Sequence, residues 1–543
     1  MRWSNVLFGH GDDGYPFWLL TVRVNILVLV ASAAVLVVSA LRLARLRAML
    51  SGRLDLGVAA AFTTVAAALR WFVVQHNVAD LGGISYSRIL LGYNGHFGAA
   101  QLYSLVYARG SRSMEQAIVL NRLVATLTVP LLYALCRRVA PARRAFAVCA
   151  TALLSLHPLH LLFSATDALP IVTILLAVGS YWCLARAVGS ENDRVSSRSV
   201  AALTGAAGLA LVTQVRYENA LFLAPPLLYF LAVRPSIPFR PLAPAGVLLG
   251  LLLAIYVASA ISAESSFQNP IHMTDGLRAS ARDLFDNQIF AIGPVLVGTI
   301  AALLDRRTPV RWAVALPLAV VLPVITMGGA EGHNHARAYL THVLLLSLVA
   351  GYGLALLWGS NHRFGRGIAV TCLLWVAVLP CCFWQNLRER HLETAEHDFF
   401  TAALSALPAG VNRIIVPDDD VLARMTHSTI ELVNKYRMIA QAAGSGIELL
   451  GTSRYVEHPE EIDCGRGNCL FFHGVPCMGL RYYWFAEDGC AQLMARRSGP
   501  PLREEEVVGG SFLDCSIYRG TMRRQLCEPA RHAQHFALYP IGS

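Results

Sequence analysis

The sequence predicts a polytopic α-helical membrane protein of about twelve transmembrane helices, followed by a C-terminal α/β domain on the extracytoplasmic side. Three observations predict it. Of the 543 residues, 55% are hydrophobic and only 15% charged, where ordinary soluble domains carry about a quarter charged residues. Apolar stretches near the ~20 residues that cross a bilayer recur over the first 387 positions. From about residue 390 the composition becomes that of a soluble domain, which separates 1–387 from 388–543.

The apolar stretches fall at 17–41, 54–74, 114–136, 145–163, 168–187, 200–215, 219–233, 242–262, 286–304, 312–328, 338–358 and 367–387. The sixth and seventh are short and could form a tilted or re-entrant hairpin. The first is too long for a cleaved signal peptide, has little positive charge before it, and precedes Arg42, Arg45, Arg47 and Arg53. Arginine-rich flanks stay in the cytoplasm. The same side then collects Arg137, Arg138, Arg143, Arg144, Arg186, Arg194, Arg198, Arg234, Arg240, Arg306, Arg307, Arg311, Arg363 and Arg366. Both termini are therefore expected outside. The net charge of +10 divides into +14 over residues 1–387 and −4 over residues 388–543. The basic excess thus serves topology and not nucleic-acid binding.

The outer loop at 75–113 is too polar and glycine-rich to span, and two amphipathic interfacial helices are expected in it, near 84–91 and 99–107. Within the outer domain, VNRIIV at 411–416 reads as a strand, and Asp418, Asp419 and Asp420 lead into a helix expected at 421–436. The acidic run is expected to cap that helix and meet its dipole. Further strands are expected at 469–473 and 482–486. Six of the twelve cysteines lie here: Cys464, Cys469, Cys477, Cys490, Cys515 and Cys527. An even set in the part placed outside by charge reads as up to three disulfides in an oxidising compartment, with the pairing open. No C-x-x-C spacing favours zinc.

Ionisable groups beside a bilayer are costly and point to function. The notable ones gather at the outer level: Asp80, Asp167, Arg216, Glu218 and Arg337, with His76, His157, His160, His333 and His335 nearby. A transporter would concentrate such groups at the midplane on broken helices. A cluster at surface level suits chemistry on a lipid headgroup.

Asp80 begins a loop running ISYSRILLGYNGHFGAAQLYSLVY, and the segments NRLVATLTVPLLYALCRR, LHPLHLLFSATDALPIVTILLAVGSYWCLARA, GLALVTQVRYENALFLAPPLL and HARAYLTHVLLLSLVAGYGLALL follow in that order. The order resembles the GT-C superfamily of membrane glycosyltransferases, in the branch of protein O-mannosyltransferases and the lipid A aminoarabinose transferase, over about residues 54–387. One extra N-terminal span departs from the family, and so does Asp80, which stands alone where the family often has an acidic doublet or D-x-D in the first outer loop.

The resemblance implies transfer of a sugar from a polyprenyl-phosphate carrier to a hydroxyl of a glycan, lipid or protein acceptor, at the outer face of the inner membrane. A carboxylate within hydrogen-bond reach takes the proton of an attacking hydroxyl, and Asp80 is the candidate base. Asp167, in S-A-T-D-A, matches a second acidic position of the family, with a helix N-cap as the alternative role. The departing lipid phosphate needs electrostatic stabilisation, which Arg337 or Arg216 can give by bidentate contact. Tyr339, Glu218, His76 and His157 are candidate substrate contacts. His157 and His160 could equally satisfy backbone groups freed by Pro158. No cofactor is required by this chemistry. Glu331, His333 and His335 are weak ligands for a divalent metal. A ligase or polymerase of lipid-linked glycans would use the same carriers, and a flippase or other transporter is the alternative of a different class.

Overall fold

The structure is a computed structural model. It describes residues 25–37, 53–78, 113–167, 170–188, 195–215, 219, 222–226, 239–262, 293–305, 335–382, 384–418, 431–458, 464, 468–478, 487–510 and 534–542. The helices before residue 390 are α1 (Asn25–Val37), α2 (Arg53–Ala68), α3 (Ser113–Val139), α4 (Arg144–Ser155), α5 (Pro158–Ser164), α6 (Pro170–Val188), α7 (Val195–Val215), α8 (Phe239–Ser262), α9 (Gly293–Leu304), α10 (His335–Trp358), α11 (Arg363–Cys382) and α12 (Trp384–Arg388). Among the described residues, five helices are long and apolar enough to cross a membrane, or six with the bent pair α4 and α5 taken as one span. The expected span at 312–328, most of that at 219–233, and the interfacial helices expected at 84–91 and 99–107 lie outside the described residues.

The helices form one bundle. α3 packs against α2, α4 and α6, α7 lies between α6 and α8, and α10 lies against α4 and α11. A Cβ on Gly351 of α10 would stand 2.6 Å from the Cα of Ala150 on α4, so these two backbones meet only because position 351 carries no side chain. Leu27, Phe72, Leu127, Leu251, Phe364 and Leu374 face outward and are exposed, an apolar surface that suits lipid and not water.

One expected span is bent. The stretch at 145–163 is not a single helix: it breaks at Leu156 and His157, and its halves meet at 56°. Pro158 is the cause, since it has no N–H to donate and its ring crowds the preceding turn.

At one end of the bundle Asp55 is fully buried. It accepts hydrogen bonds from the Tyr133 hydroxyl at 2.9 Å and Arg144 Nε at 2.7 Å, and lies 3.3 Å from Arg137 Nη2. Close to it, Arg143 donates to the Tyr352 hydroxyl at 2.9 Å, and that hydroxyl donates to Asp305 at 2.8 Å. The charged ends of α2, α3, α4, α9 and α10 are thereby tied at one level.

After Arg388 the described residues build a mixed sheet of five strands, β1 (Arg413–Val416), β2 (Glu448–Gly451), β3 (Cys469–His473), β4 (Arg503–Val507) and β5 (Gln534–Pro540), in the order β2-β1-β3-β5-β4. β1 is parallel to both β2 and β3, while β5 is antiparallel to β3 and β4. α13 (Leu392–Leu404) and α14 (Glu431–Ala442) cover one face, where Phe399, Phe400 and Tyr436 pack on Ile414, Leu470 and Phe472. α15 (Thr452–Glu457) and α16 (Glu487–Ala495) cover the other, where Tyr455 and Leu493 pack on Ile415, Phe471 and Tyr539. Burial on both faces is why β1 and β3 read as continuous apolar runs. The expected strand at 482–486 lies outside the described residues.

The only lysine of the chain, Lys435, is fully buried and ion-paired to the equally buried Glu396. Glu396 also accepts from the Tyr436 hydroxyl and from the Val475 backbone N–H, each at 2.8 Å, which pins α13, α14 and the turn after β3 together. Disulfides join Cys464 to Cys469 and Cys477 to Cys490; Cys515 and Cys527 lie outside the described residues.

Of the acidic run after β1, Asp418 is described, and Asp419 and Asp420 lie outside the described residues. Asp418 caps α15: its carboxylate accepts from the Ser453 N–H at 3.2 Å and the Thr452 hydroxyl at 2.9 Å, and from the Ser453 hydroxyl. The parallel pairing of β1 and β2 sets their carboxyl ends side by side, which brings Asp418 to the orphan N-terminus of α15. Of the helix expected at 421–436, residues 421–430 lie outside the described residues, and α14 runs from Glu431 to Ala442.

Candidate functional site

The end of the bundle opposite Asp55 is polar in a different way. α2 does not stop at Ala68 but continues as a π-turn, Leu69–Val73, closed by the Val74 N–H on the Leu69 carbonyl at 2.9 Å. The extra residue in that turn changes which side chains face inward, and Arg70 becomes fully buried.

Arg70 mends the broken span. With Pro158 lacking a donor, the Leu159 N–H goes to His157 Nδ1 at 3.2 Å, and the Ser155 carbonyl loses its helical partner. Arg70 Nη2 supplies the replacement, donating to Ser155 O at 3.2 Å and lying 2.6 Å from His160 Nδ1, while Nη1 donates to Ala66 O at 3.0 Å. A guanidinium has only donors, so His160 Nδ1 is the acceptor and its proton sits on Nε2. His157 acts as the N-cap of α5. Arg122, on α3, donates to Val74 O at 3.1 Å and lies over the Trp71 ring at 5.5 Å.

Beyond the π-turn, three distant segments meet. Asn77 pairs with Thr166 in an isolated parallel bridge, its N–H donating to Ala165 O at 3.0 Å. Asn121 Nδ2 donates to Thr166 O at 2.7 Å. The Gln75 N–H donates to Leu387 O at 2.7 Å, and the Asn77 side chain bonds residues 389–394. Just beyond this joint Arg390 pairs with Asp398 at 2.5 Å. Burial opposes the charge on Asp398, but hydrogen bonds from His397 and Arg390 outweigh it and hold the carboxyl below the usual aspartate value.

The residues singled out by sequence are distributed as follows. Asp167 is fully buried and follows Thr166 of the bridge. His76 is exposed beside the bridge, with Nδ1 3.4 Å from Gln75 Nε2. His157 and His160 are buried at the break, and His160 lies against Arg70 of the π-turn. His335, Arg337 and Tyr339 stand on the first turns of α10. Arg337 is fifteen residues before Tyr352, about 22 Å along a helix rising ~1.5 Å per residue, and so at the opposite end of the bundle from the Asp305 pair. Asp80, Arg216, Glu218, Glu331 and His333 lie outside the described residues. No group of three or more His, Cys, Asp or Glu among the described residues is placed to hold a metal ion.

Sequence reasoning passed over Arg70, Asn77, Asn121 and Thr394. For Arg70 a signal was present, an arginine inside the apolar run LRWFV near the end of a span. For the other three, the partners that give them meaning lie 45 to 317 positions away.

No protein-family model and no curated protein sequence matches the chain. Among solved structures, it is similar to the arabinofuranosyltransferase AftD from Mycobacteria, at 16% identity and a TM-score of 0.49, over 91% of this chain and 40% of that one. It is also similar to ArnT from Cupriavidus metallidurans: bound to undecaprenyl phosphate, at 12% identity and a TM-score of 0.46 over 90% and 97% of the two chains, and in the apo state, at 12% and 0.47 over 89% and 97%. The chain thus spans less than half the length of the arabinofuranosyltransferase and nearly all of the length of ArnT.

Proposed function

We propose that the protein is a multi-pass membrane glycosyltransferase that moves a sugar from a polyprenyl-phosphate-linked donor to an acceptor hydroxyl. In this reading residues 1–387 form the transferase part in the inner membrane, and residues 388–543 form a domain on its periplasmic side. The observation that carries the proposal is the meeting of three segments at one end of the bundle. The segment 75–78 leads, two residues later, to Asp80; it is bridged to the turn holding Asp167; and it is bonded to the foot of the sheet region. The cationic ends of α3 and α4 lie at the other end, as a cytoplasmic face requires. The disulfides of the sheet region support an oxidising compartment for the end that holds the site.

The chemistry follows from the groups. The Asp80 carboxylate takes the proton of the acceptor hydroxyl while its oxygen bonds to the anomeric carbon. The bond from that carbon to the phosphate oxygen breaks, and the lipid phosphate leaves with the electron pair. Arg337, at the start of α10, and Arg216 balance the charge on the departing phosphate. One displacement inverts the anomeric configuration. Asp167 holds sugar hydroxyls or assists Asp80, with Glu218, His76, His157 and Tyr339 as further substrate contacts.

The test is transfer by the purified full chain from a labelled polyprenyl-phosphate sugar. Asp80→Asn is expected to lower turnover by at least about 100-fold with donor binding retained. Undiminished turnover by that variant would remove Asp80 from the reaction.

A further inference from the structure

Asn77 is fully buried, and both ends of its side-chain amide are engaged by a segment more than 300 residues away. Its Oδ1 accepts from the His391 backbone N–H at 3.0 Å and the Thr394 hydroxyl at 2.9 Å, and its Nδ2 donates to the Glu389 carbonyl at 2.9 Å. Thr394 also accepts the Val78 N–H at 3.0 Å. His391 is the N-cap of α13 and Thr394 its third helical residue. In a capping box the third residue reaches back to the N-cap N–H. Here an asparagine from outside the helix takes that N–H, and the third residue bonds the asparagine. The start of α13 is thus capped by the segment that bridges to the Asp167 turn.

The other face of the same joint is also fixed. The His391 ring lies 3.2 Å from Gly510 O, and the Leu392 N–H donates to the same carbonyl at 3.1 Å. A displacement of the sheet region would therefore pull on Asn77, and through its bridge on Thr166.

We propose that Asn77 and Thr394 are positioning residues for the transfer, through which the sheet region sets where the segment 75–78 lies against the Asp167 turn. This rests on the reading of the site given above. Neither residue touches the reacting atoms. Their effect falls on geometry, and a misplacement of about 1 Å at a reacting centre costs about 100-fold.

The experiment uses the full chain in detergent or nanodiscs, with Thr394→Val, Thr394→Ser and Asn77→Ala. Hydrogen exchange is read on peptides covering 74–78 and 161–167, and transfer is read as separate kcat and donor KM. Thr394→Val is expected to speed exchange in both peptides, although the substitution is in neither. It should lower kcat by about tenfold while donor KM stays within about threefold, and Thr394→Ser should restore both readouts. Unchanged exchange at 161–167 in the folded Thr394→Val and Asn77→Ala variants would overturn the proposal. Faster exchange with kcat unchanged would overturn it too, leaving a joint with no bearing on the reaction. Should Asn77→Ala not fold, Thr394→Val decides alone. If the unaltered protein transfers no sugar, the glycosyltransferase reading falls by itself, while the exchange measurement still reports whether the joint couples the two segments.

Discussion

The two ends of the helix bundle are both polar and buried, yet they are held by different chemistry. At one end a single carboxylate, Asp55, gathers Arg137, Arg144 and Tyr133. At the other the joints are an amide, a hydroxyl and backbone groups, and the buried cation Arg70 has carbonyls and an imidazole as its partners. Charge pairing tolerates little rearrangement, because separating the partners strands a charge away from water. Neutral hydrogen bonds are each worth about 1 kcal/mol net and can be exchanged for others. The first arrangement fixes helix ends; the second joins a bundle to a sheet while leaving room for small adjustments.

Three measurements would break or sharpen that contrast, after the loss expected at Asp80. The largest is at Asp55. Asp55→Ala leaves Arg137 without its carboxylate and should lower stability by about 3 kcal/mol, read from unfolding of the purified protein. Turnover per folded molecule should stay as it is. A loss of turnover with stability intact would mean that the two ends are not independent. Next, Tyr133→Phe removes one neutral donor from the same carboxylate and should cost about 1 kcal/mol; a cost equal to that of Asp55→Ala would show that the hydroxyl, and not the charges, holds that end. The smallest effect is a pH dependence confined to the sheet region. Burial lowers the pKa of His473 below its ordinary 6.5, against a partly compensating hydrogen bond to the His535 carbonyl. The unfolded chain then binds the proton more tightly than the folded one. The contribution is in full force above about pH 6.5 and is lost as the pH falls toward the folded value. His473→Gln should flatten that slope, and an unchanged slope would assign it to another group.

The sequence made some of this legible, for reasons that can be stated residue by residue. β1 and β3 showed themselves because both of their faces are buried, so residues 414–416 and 469–472 are apolar without interruption. β4 did not, because an edge strand with the sequence REEEV has no apolar period to read. The bend between α4 and α5 was foreshadowed only by Pro158, and hydropathy averages over such a break. At the candidate site, Asp167 and the histidines stood out because ionisable side chains are scarce in apolar sequence. Asn77 and Thr394 are uncharged and of ordinary type, and only their bonds across the fold give them weight.

The order of strands has a consequence for how the protein is made. β5 is the last of the five in the chain, yet it lies between β3 and β4 and supplies pairing to both. While the ribosome is still translating residues before 534, β3 has an open edge and β4 has no neighbour. The nascent sheet region therefore cannot close until Pro540 has emerged, and through that interval the thiols that become the Cys477–Cys490 bridge belong to an unfinished fold. Closure of this sheet depends on β5 arriving before that exposed edge finds another partner.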